Sequence, residues 1–149
     1  MTEEMFMRRA LELAAEAAEA GEVPVGCVIV REGKILSEGR NRRETDKNAL
    51  AHAEIEAIDG ACRTLGGWRL TGCTLYVTLE PCPMCAGAIV NARIPRVVYG
   101  AKDARAGAMG SLINVNSYPL NHHAQVEHGV LADECAGILR EFFSSRRRK

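Results

Sequence analysis

His52, Glu54, Cys82 and Cys85 are the residues of this chain whose types and spacing most directly imply chemistry. They fall in two short strings, Ala51-His52-Ala53-Glu54 and Pro81-Cys82-Pro83-Met84-Cys85. One imidazole and two thiolates offer three protein ligands to zinc, an ion that prefers four. A structural site closes the fourth position with another Cys or His, whereas a catalytic site leaves it to water. Zinc lowers the pKa of such a water from 15.7 to about 7. Glu54 stands just past the histidine, placed to move that water's protons. The pattern reads as hydrolysis, with one Zn2+ per subunit held by His52, Cys82 and Cys85 and with Glu54 as the catalytic acid–base.

Both strings need a helix start to work. Residues two apart on a regular helix point roughly 200° apart, so His52 and Glu54 can address one site only where the chain enters a helix. Ile55, Ala57, Ile58, Ala61, Cys62 and Leu65 follow at helical spacing, which predicts a helix beginning there. Pro83 suits a first helical position, and cysteines three apart share one helical face. A helix N-terminus also favours the thiolate forms.

Three competing readings stand beside this one. A C-x-x-C pair that opens a helix also serves redox chemistry, and the upstream His-Ala-Glu string argues against that here. His122, His123 and His128 offer a closed four-ligand site with Cys82 and Cys85. Their separation from the cysteines far exceeds the about 12–15 residues of compact zinc fingers. The blandest alternative makes His52 a core histidine and Glu54 a solvated first-turn acid. The other cysteines, Cys27, Cys62, Cys73 and Cys135, sit in apolar contexts and read as buried free thiols.

Composition sets the frame. A chain of 149 residues with 47% hydrophobic and 26% charged content reads as one globular domain over 1–149. Aromatics are 5%, so the core must be mostly aliphatic. The formal net charge is zero, which excludes recruitment of a polyanion by a bulk field. The charge is uneven, however: residues 1–22 carry six acids and two bases, and residues 140–149 carry five bases and one acid. Arg140, Arg146, Arg147, Arg148 and Lys149 are either phosphate contacts or a solvated tail. Thr2, Glu3 and Glu4 stand where a signal peptide would be basic, and no apolar run approaches membrane-spanning length. The expectation is a soluble, cytoplasmic protein with no membrane partner.

The order of elements follows from periodicity. Phe6, Ala10, Leu13, Ala14 and Ala17 form one stripe of a helix that Gly21 ends. Residues 25–30 read as a strand buried on both faces, and Glu32-Gly33 turns the chain into a second strand at 35–39. The His52 helix follows, then a strand at 74–78, the cysteine helix, and strands at 96–99 and, more weakly, 124–127. Cys135, Ile138, Leu139, Phe142 and Phe143 mark a C-terminal helix. A hairpin followed by strand–helix alternation predicts a three-layer α/β/α domain, a central mixed sheet of about five strands with helices on both faces. Both ligand strings then fall at helix N-termini beside strand ends, where open α/β sheets form ligand crevices.

His-x-Glu followed by Pro-Cys-x-x-Cys is the signature of zinc-dependent nucleobase deaminases. Beyond it, Glu22-Val23-Pro24-Val25-Gly26, Thr74-Leu75-Tyr76-Val77-Thr78-Leu79-Glu80-Pro81-Cys82, Gly100-Ala101-Lys102-Asp103, Gly110-Ser111-Leu112, Asn121-His122 and Leu131-Ala132-Asp133-Glu134-Cys135 complete a likeness over nearly the whole chain. The sequence resembles the bacterial tRNA-specific adenosine deaminases (TadA type) of the cytidine deaminase-like superfamily. The resemblance implies hydrolysis of adenosine to inosine at the wobble position of a tRNA anticodon, an arginine tRNA first among candidates. It implies that Asn41 hydrogen-bonds the flipped base, since an amide both donates and accepts. It further implies RNA contacts from Asp103, Asn121, His122, Phe143, Arg146 and Arg147, with a sugar 2′-OH the sensible partner for an acid. Phe142 and Phe143 are adjacent, and the sequence does not decide which one stacks on a base. A homodimer is the assembly that the resemblance implies. The alternatives are a free-base deaminase of the same superfamily acting on guanine or cytosine, and a zinc-stabilised RNA-binding module without catalysis.

Overall fold

The computed structural model describes residues 2–147, for Arg147 the backbone alone; Arg148 and Lys149 lie outside the described residues. Thr2 caps the first helix by accepting a hydrogen bond from the Met5 N–H, and α1 (Glu3–Glu19) follows with Phe6, Met7, Ala10, Leu13, Ala14 and Ala17 buried. Gly21, at φ 83°, carries the chain out of it. Strands β1 (Gly26–Arg31) and β2 (Lys34–Arg40) form the expected hairpin. Its two-residue turn places both Glu32 (φ 53°) and Gly33 (φ 75°) in the left-handed region, as a type I′ turn requires.

The remaining elements are α2 (Ala53–Leu65), β3 (Cys73–Leu79), α3 (Pro83–Asn91), β4 (Arg96–Ala101), β5 (Gln125–His128) and α4 (Ala132–Arg147). The sheet order is β2-β1-β3-β4-β5, with β1 antiparallel to both of its neighbours, β2 and β3, and with β3, β4 and β5 mutually parallel. Helices α2 and α3 cover one face over Cys27, Ile29, Leu75, Val77 and Val97. Helix α1 covers the other over Val28, Val30, Tyr76 and Val98, with Cys135 of α4 in the same cluster. The expected three-layer α/β/α arrangement with a mixed five-stranded sheet is therefore present.

Two details depart from simple alternation. The crossover from β4 to β5 contains no α-helix; residues 102–124 form a long loop with one short 3-10 turn, Val115–Ser117. Loops of that length without regular structure commonly carry function. Helix α4 is also only partly seated: Cys135 is buried, while Ile138, Leu139 and Phe142 are half-buried and Phe143 is exposed.

Register decides what gathers at one end of the sheet. Parallel β3 and β4 both deliver their C-termini there, at Leu79 and Ala101. Antiparallel β1 begins at that end, because Cys27 pairs with Val77, and β2 finishes there, because Arg40 pairs with Gly26. Val25, Asn41, Glu80 and Asp103 thus issue from four adjacent strands into one place. Helix α2 is held close to β2 at the same end: a Cβ on Gly39 would stand 2.2 Å from the Ala53 carbonyl oxygen and 2.8 Å from the Ala57 nitrogen. The absent side chain at Gly39 is what lets the start of α2 touch the sheet. Gly39→Ala is expected to destabilise the fold by about 2 kcal/mol through overpacking, read as a lower urea midpoint with an unchanged slope. Gly67→Ala, whose Cβ meets nothing within 4 Å, is the control; an equal loss there would show that the close approach is not the cause.

Candidate active site

His52 is the N-cap of α2 and Cys82 the N-cap of α3, and neither side chain caps its own helix. Ser, Thr, Asp or Asn is the usual choice at such a position, where the side chain accepts a backbone N–H. Here both side chains turn toward each other instead. His52 Nδ1 stands 3.6 Å from Cys82 Sγ and 3.5 Å from Cys85 Sγ, and the three donor atoms lie within 4.8 Å of one another. A tetrahedral zinc with bonds near 2.3 Å to sulfur and 2.0–2.1 Å to nitrogen separates those donors by about 3.6 Å. The residues fit zinc. His122, by contrast, is spent on the Ile94 carbonyl (2.6 Å) and His128 stacks on Tyr99, so the closed four-ligand alternative is not assembled.

The electrostatics suit an ion with acid–base chemistry beside it. The first-turn N–H groups of α2 and α3 converge on the cluster, and helix N-termini favour negative charge. The hydrogen bond from the Cys85 thiol, opposed by burial and aided by His52, holds the Cys82 thiol well below the ordinary thiol range. Glu54 is 4% exposed, and burial pushes its pKa up to about 7. A cation seated among the three donors would favour the ionised form, against the effect of burial, so the carboxyl would sit between two opposing influences.

A cavity of about 160 Å³ opens over these groups, lined by Val23, Val25, Asn41, Arg43, His52, Glu54, Glu80, Cys82, Asp103 and Ala106 among others. Asn41 is oriented by its own neighbours: its amide donates to the Val23 carbonyl (3.1 Å) and accepts from the Arg43 N–H (3.3 Å). One donor and one acceptor position of the amide remain. Asp103 lines the rim; its Oδ1 accepts the Arg105 and Ala106 N–H groups, shaping a turn, while Oδ2 takes no hydrogen bond among the described residues. Phe143 lines two adjoining hollows shared with Val23, Asn41, Arg43 and Asp103. It is 42% exposed, whereas Phe142 is half-buried with the Arg146 guanidinium 4.7 Å from its ring centre. Arg146 also donates to the Gly21 carbonyl.

Asn121 and His122 are not brought to this cleft. His122 is anchored to Ile94, just before β4, and that strand spans about 20 Å before its far end reaches the cavity. Arg43 is a cleft residue that sequence reading passed over. It follows Asn41 in the basic pair Arg42-Arg43, and Arg42 is the one consumed, by Glu56 at 2.6 Å.

Residues 1–101 match the family model described as the cytidine and deoxycytidylate deaminase zinc-binding region. The chain belongs to that zinc-binding deaminase family. It is 50% identical over 148 residues to a tRNA-specific adenosine deaminase of Bacillus subtilis (strain 168), covering 99% of this chain and 92% of that one. A solved structure from studies of A-to-I editing by tRNA:A34 deaminases at the wobble position of transfer RNA superposes with a TM-score of 0.88 at 46% identity, covering 91% of this chain and 99% of that one. A guanine deaminase from Bacillus subtilis superposes with a TM-score of 0.66 at 37% identity, covering 81% and 88%. Zinc is the cofactor of the family, and the donor geometry above accommodates one ion. No helix among the described residues is long and apolar enough to cross a membrane.

One wall of the cleft depends on a buried acid. Glu22 is 1% exposed and accepts the Glu44 and Thr45 N–H groups (3.0 and 2.6 Å) and the Thr45 hydroxyl (2.6 Å), which fixes the loop after Asn41. Burial raises its pKa, the hydrogen bonds outweigh that, and the net shift is downward. Its stabilising contribution is therefore complete above the unfolded carboxyl pKa of about 4.3 and is lost as pH falls through the lower folded value. Glu22→Gln is expected to flatten stability against pH on this acid limb and leave the profile above pH 6 parallel to the parent's. Urea melts from about pH 2 to 7 check this; two profiles of identical shape would remove Glu22 from the account.

Proposed function

We propose that the protein is a tRNA-specific adenosine deaminase that converts the wobble adenosine of an anticodon to inosine, with an arginine tRNA the first substrate to test. The reaction adds water at C6 of the purine and breaks the C6–N bond, releasing ammonia. The observation that carries the substrate is the extent of the likeness. Identity to the Bacillus subtilis enzyme runs over 148 residues, well past residue 101 where the zinc-binding region ends, and includes the loop that bears Asp103.

His52, Cys82 and Cys85 would hold the zinc, which supplies Lewis acidity that makes water nucleophilic at neutral pH. Glu54 takes a proton from the attacking water, delivers it to ring N1 and later protonates the departing amine. Asn41 holds the base edge with the donor and acceptor that its backbone partners leave over. Glu54 in the lining of the cavity is buried, so an adenosine must leave its stack to reach it, which costs least in a single-stranded loop. Asp103 accepts from a ribose hydroxyl at the rim, Phe143 offers a stacking face beside it, and Arg43, with Arg146 beyond it, lies along the path of the backbone phosphates; Arg147 is a further candidate whose side chain lies outside the described residues. Asn121 and His122 stand outside the cleft of their own chain, and as RNA contacts they would meet the stem-loop away from the target base.

A second reading, a free guanine deaminase, draws on the 37% identical guanine deaminase structure. Purified protein with an anticodon stem-loop carrying the wobble adenosine, set against free adenine, guanine and cytosine, separates the two. Inosine in the stem-loop with the bases untouched is the expected result; turnover of guanine alone would leave the zinc chemistry in place and remove the RNA. Glu54→Gln is expected to lower kcat by at least about 10²-fold with zinc stoichiometry unchanged. Loss of zinc together with activity would make Glu54 part of the metal site instead.

The enzyme is further proposed to be a homodimer. Leu112, Ile113, Tyr118 and Leu120, each more than 40% exposed in the single chain, supply an apolar stretch that a second copy would cover. Light scattering in solution is expected to give twice the chain mass of 16.2 kDa; a monomer at micromolar concentration would refute it.

A further inference from the structure

Glu80 lines the cleft, yet it has nothing left to offer a substrate. It is 2% exposed, and its carboxylate accepts four hydrogen bonds, all from the loop after β4. Oε1 takes the Asp103 N–H (3.1 Å) and the Ser111 hydroxyl; Oε2 takes the Met109 N–H (3.0 Å) and the Ser111 N–H (3.1 Å). An ionised carboxylate has about four lone-pair sites, so the group is saturated. No Lys or Arg pairs with it among the described residues. A buried anion held by loop donors alone fixes the loop that supplies them.

The loop is built around that anion. A Cβ on Gly107 would come within 2.4 Å of the Glu80 carboxyl carbon and 2.4 Å of the Asp103 carbonyl oxygen, so a hydrogen at this position is what lets the chain fold over the acid. The Gly107 N–H closes the turn on the Asp103 carbonyl at 2.8 Å, and the Ala108 N–H bonds the Pro81 carbonyl at 2.9 Å. The Asp103 backbone is therefore clamped from both sides, and the clamp is continuous with Pro81-Cys82.

We propose that Glu80 is a positioning residue for RNA binding: it sets Asp103 at the rim of the cleft, at a fixed height above the metal-binding turn. This rests on the reading of Asp103 as an RNA contact. A carboxylate is needed, because four donors converge on it and an amide would turn N–H groups toward N–H groups. Glu80→Gln keeps the shape of the side chain and removes half of its acceptors. The loop then loses its anchor while His52, Cys82, Cys85 and Glu54 keep theirs, so the loss falls on binding of the RNA and not on the chemical step.

A double-mutant cycle tests this, with KM and kcat measured on the anticodon stem-loop and with zinc content and melting temperature as controls. Asp103→Ala and Glu80→Gln are each expected to raise KM about tenfold with kcat within about threefold. The double variant is expected to match Asp103→Ala alone, because Glu80 acts through that residue. Multiplying effects, about a hundredfold in KM, would overturn the proposal, as would a Glu80→Gln loss confined to kcat or to zinc content. Should Glu80→Gln fail to fold, Ser111→Ala takes its place in the cycle; it removes one of the four bonds from an exposed residue and is expected to raise KM about threefold, again without adding to Asp103→Ala. If wild-type protein converts the stem-loop and Asp103→Ala behaves as wild type, the functional reading stands and the proposal falls. If wild-type protein leaves the stem-loop unchanged, the functional reading falls and takes the proposal with it.

Discussion

One imidazole nitrogen and two thiolates, from two segments thirty residues apart, must meet around one ion, and most of this fold is arranged around that demand. His52 and Cys82 are helix caps, and a cap position is fixed only when the helix behind it is fixed. Helix α2 is set by the close contact at Gly39, and α3 by its turn out of β3 and by Ile89 and Ala86 in the core. Neither helix uses its cap side chain for its own stability, so each forgoes the roughly 1 kcal/mol that a Ser or Asp would give there. The converging N–H groups favour the anions the site needs, and metal binding returns the stability that the missing caps withhold.

The walls of the cleft follow a second rule, in which buried acids organise loops by their backbone rather than by ion pairs. Glu22 holds the loop after β2 and Glu80 the loop after β4, each through backbone N–H groups and one hydroxyl. Backbone donors fix a loop more tightly than a long basic side chain would, since no flexible stem stands between the anion and the chain. The cavity is thus bounded by pieces that cannot drift independently of strands β2, β3 and β4.

This division also explains what the sequence made legible. The metal site was readable because its ligands sit in local strings with a narrow chemical meaning, and α2 and α3 because each begins at such a string. The hairpin was readable from Glu32-Gly33 between two apolar runs. Glu22 and Glu80 were not readable as anchors: their partners lie 22 to 31 positions away and are mostly backbone N–H groups, which every residue type except proline supplies. The helix-free crossover over 102–124 escaped for a related reason, since its order comes from Glu80 and not from any periodicity of its own. Arg146 covers the Phe142 ring and leaves Phe143 exposed, a difference that adjacency in sequence leaves open.

A chain of zero net charge gains little long-range attraction for a polyanion, so under the proposed reading its discrimination would come from the cleft itself. Two of the acids around that cleft are withdrawn from the problem. Glu22 and Glu80 are buried and enclosed by N–H dipoles that partly offset their charge, so neither presents a bare anion to the cleft. Asp103 is the acid left with an open oxygen at the rim, where a hydroxyl can satisfy it and a phosphate cannot. Under the proposed reading such a rim would favour the sugar side of a splayed-out nucleotide, and a cavity with buried Glu54 in its lining would favour a base free of its stack.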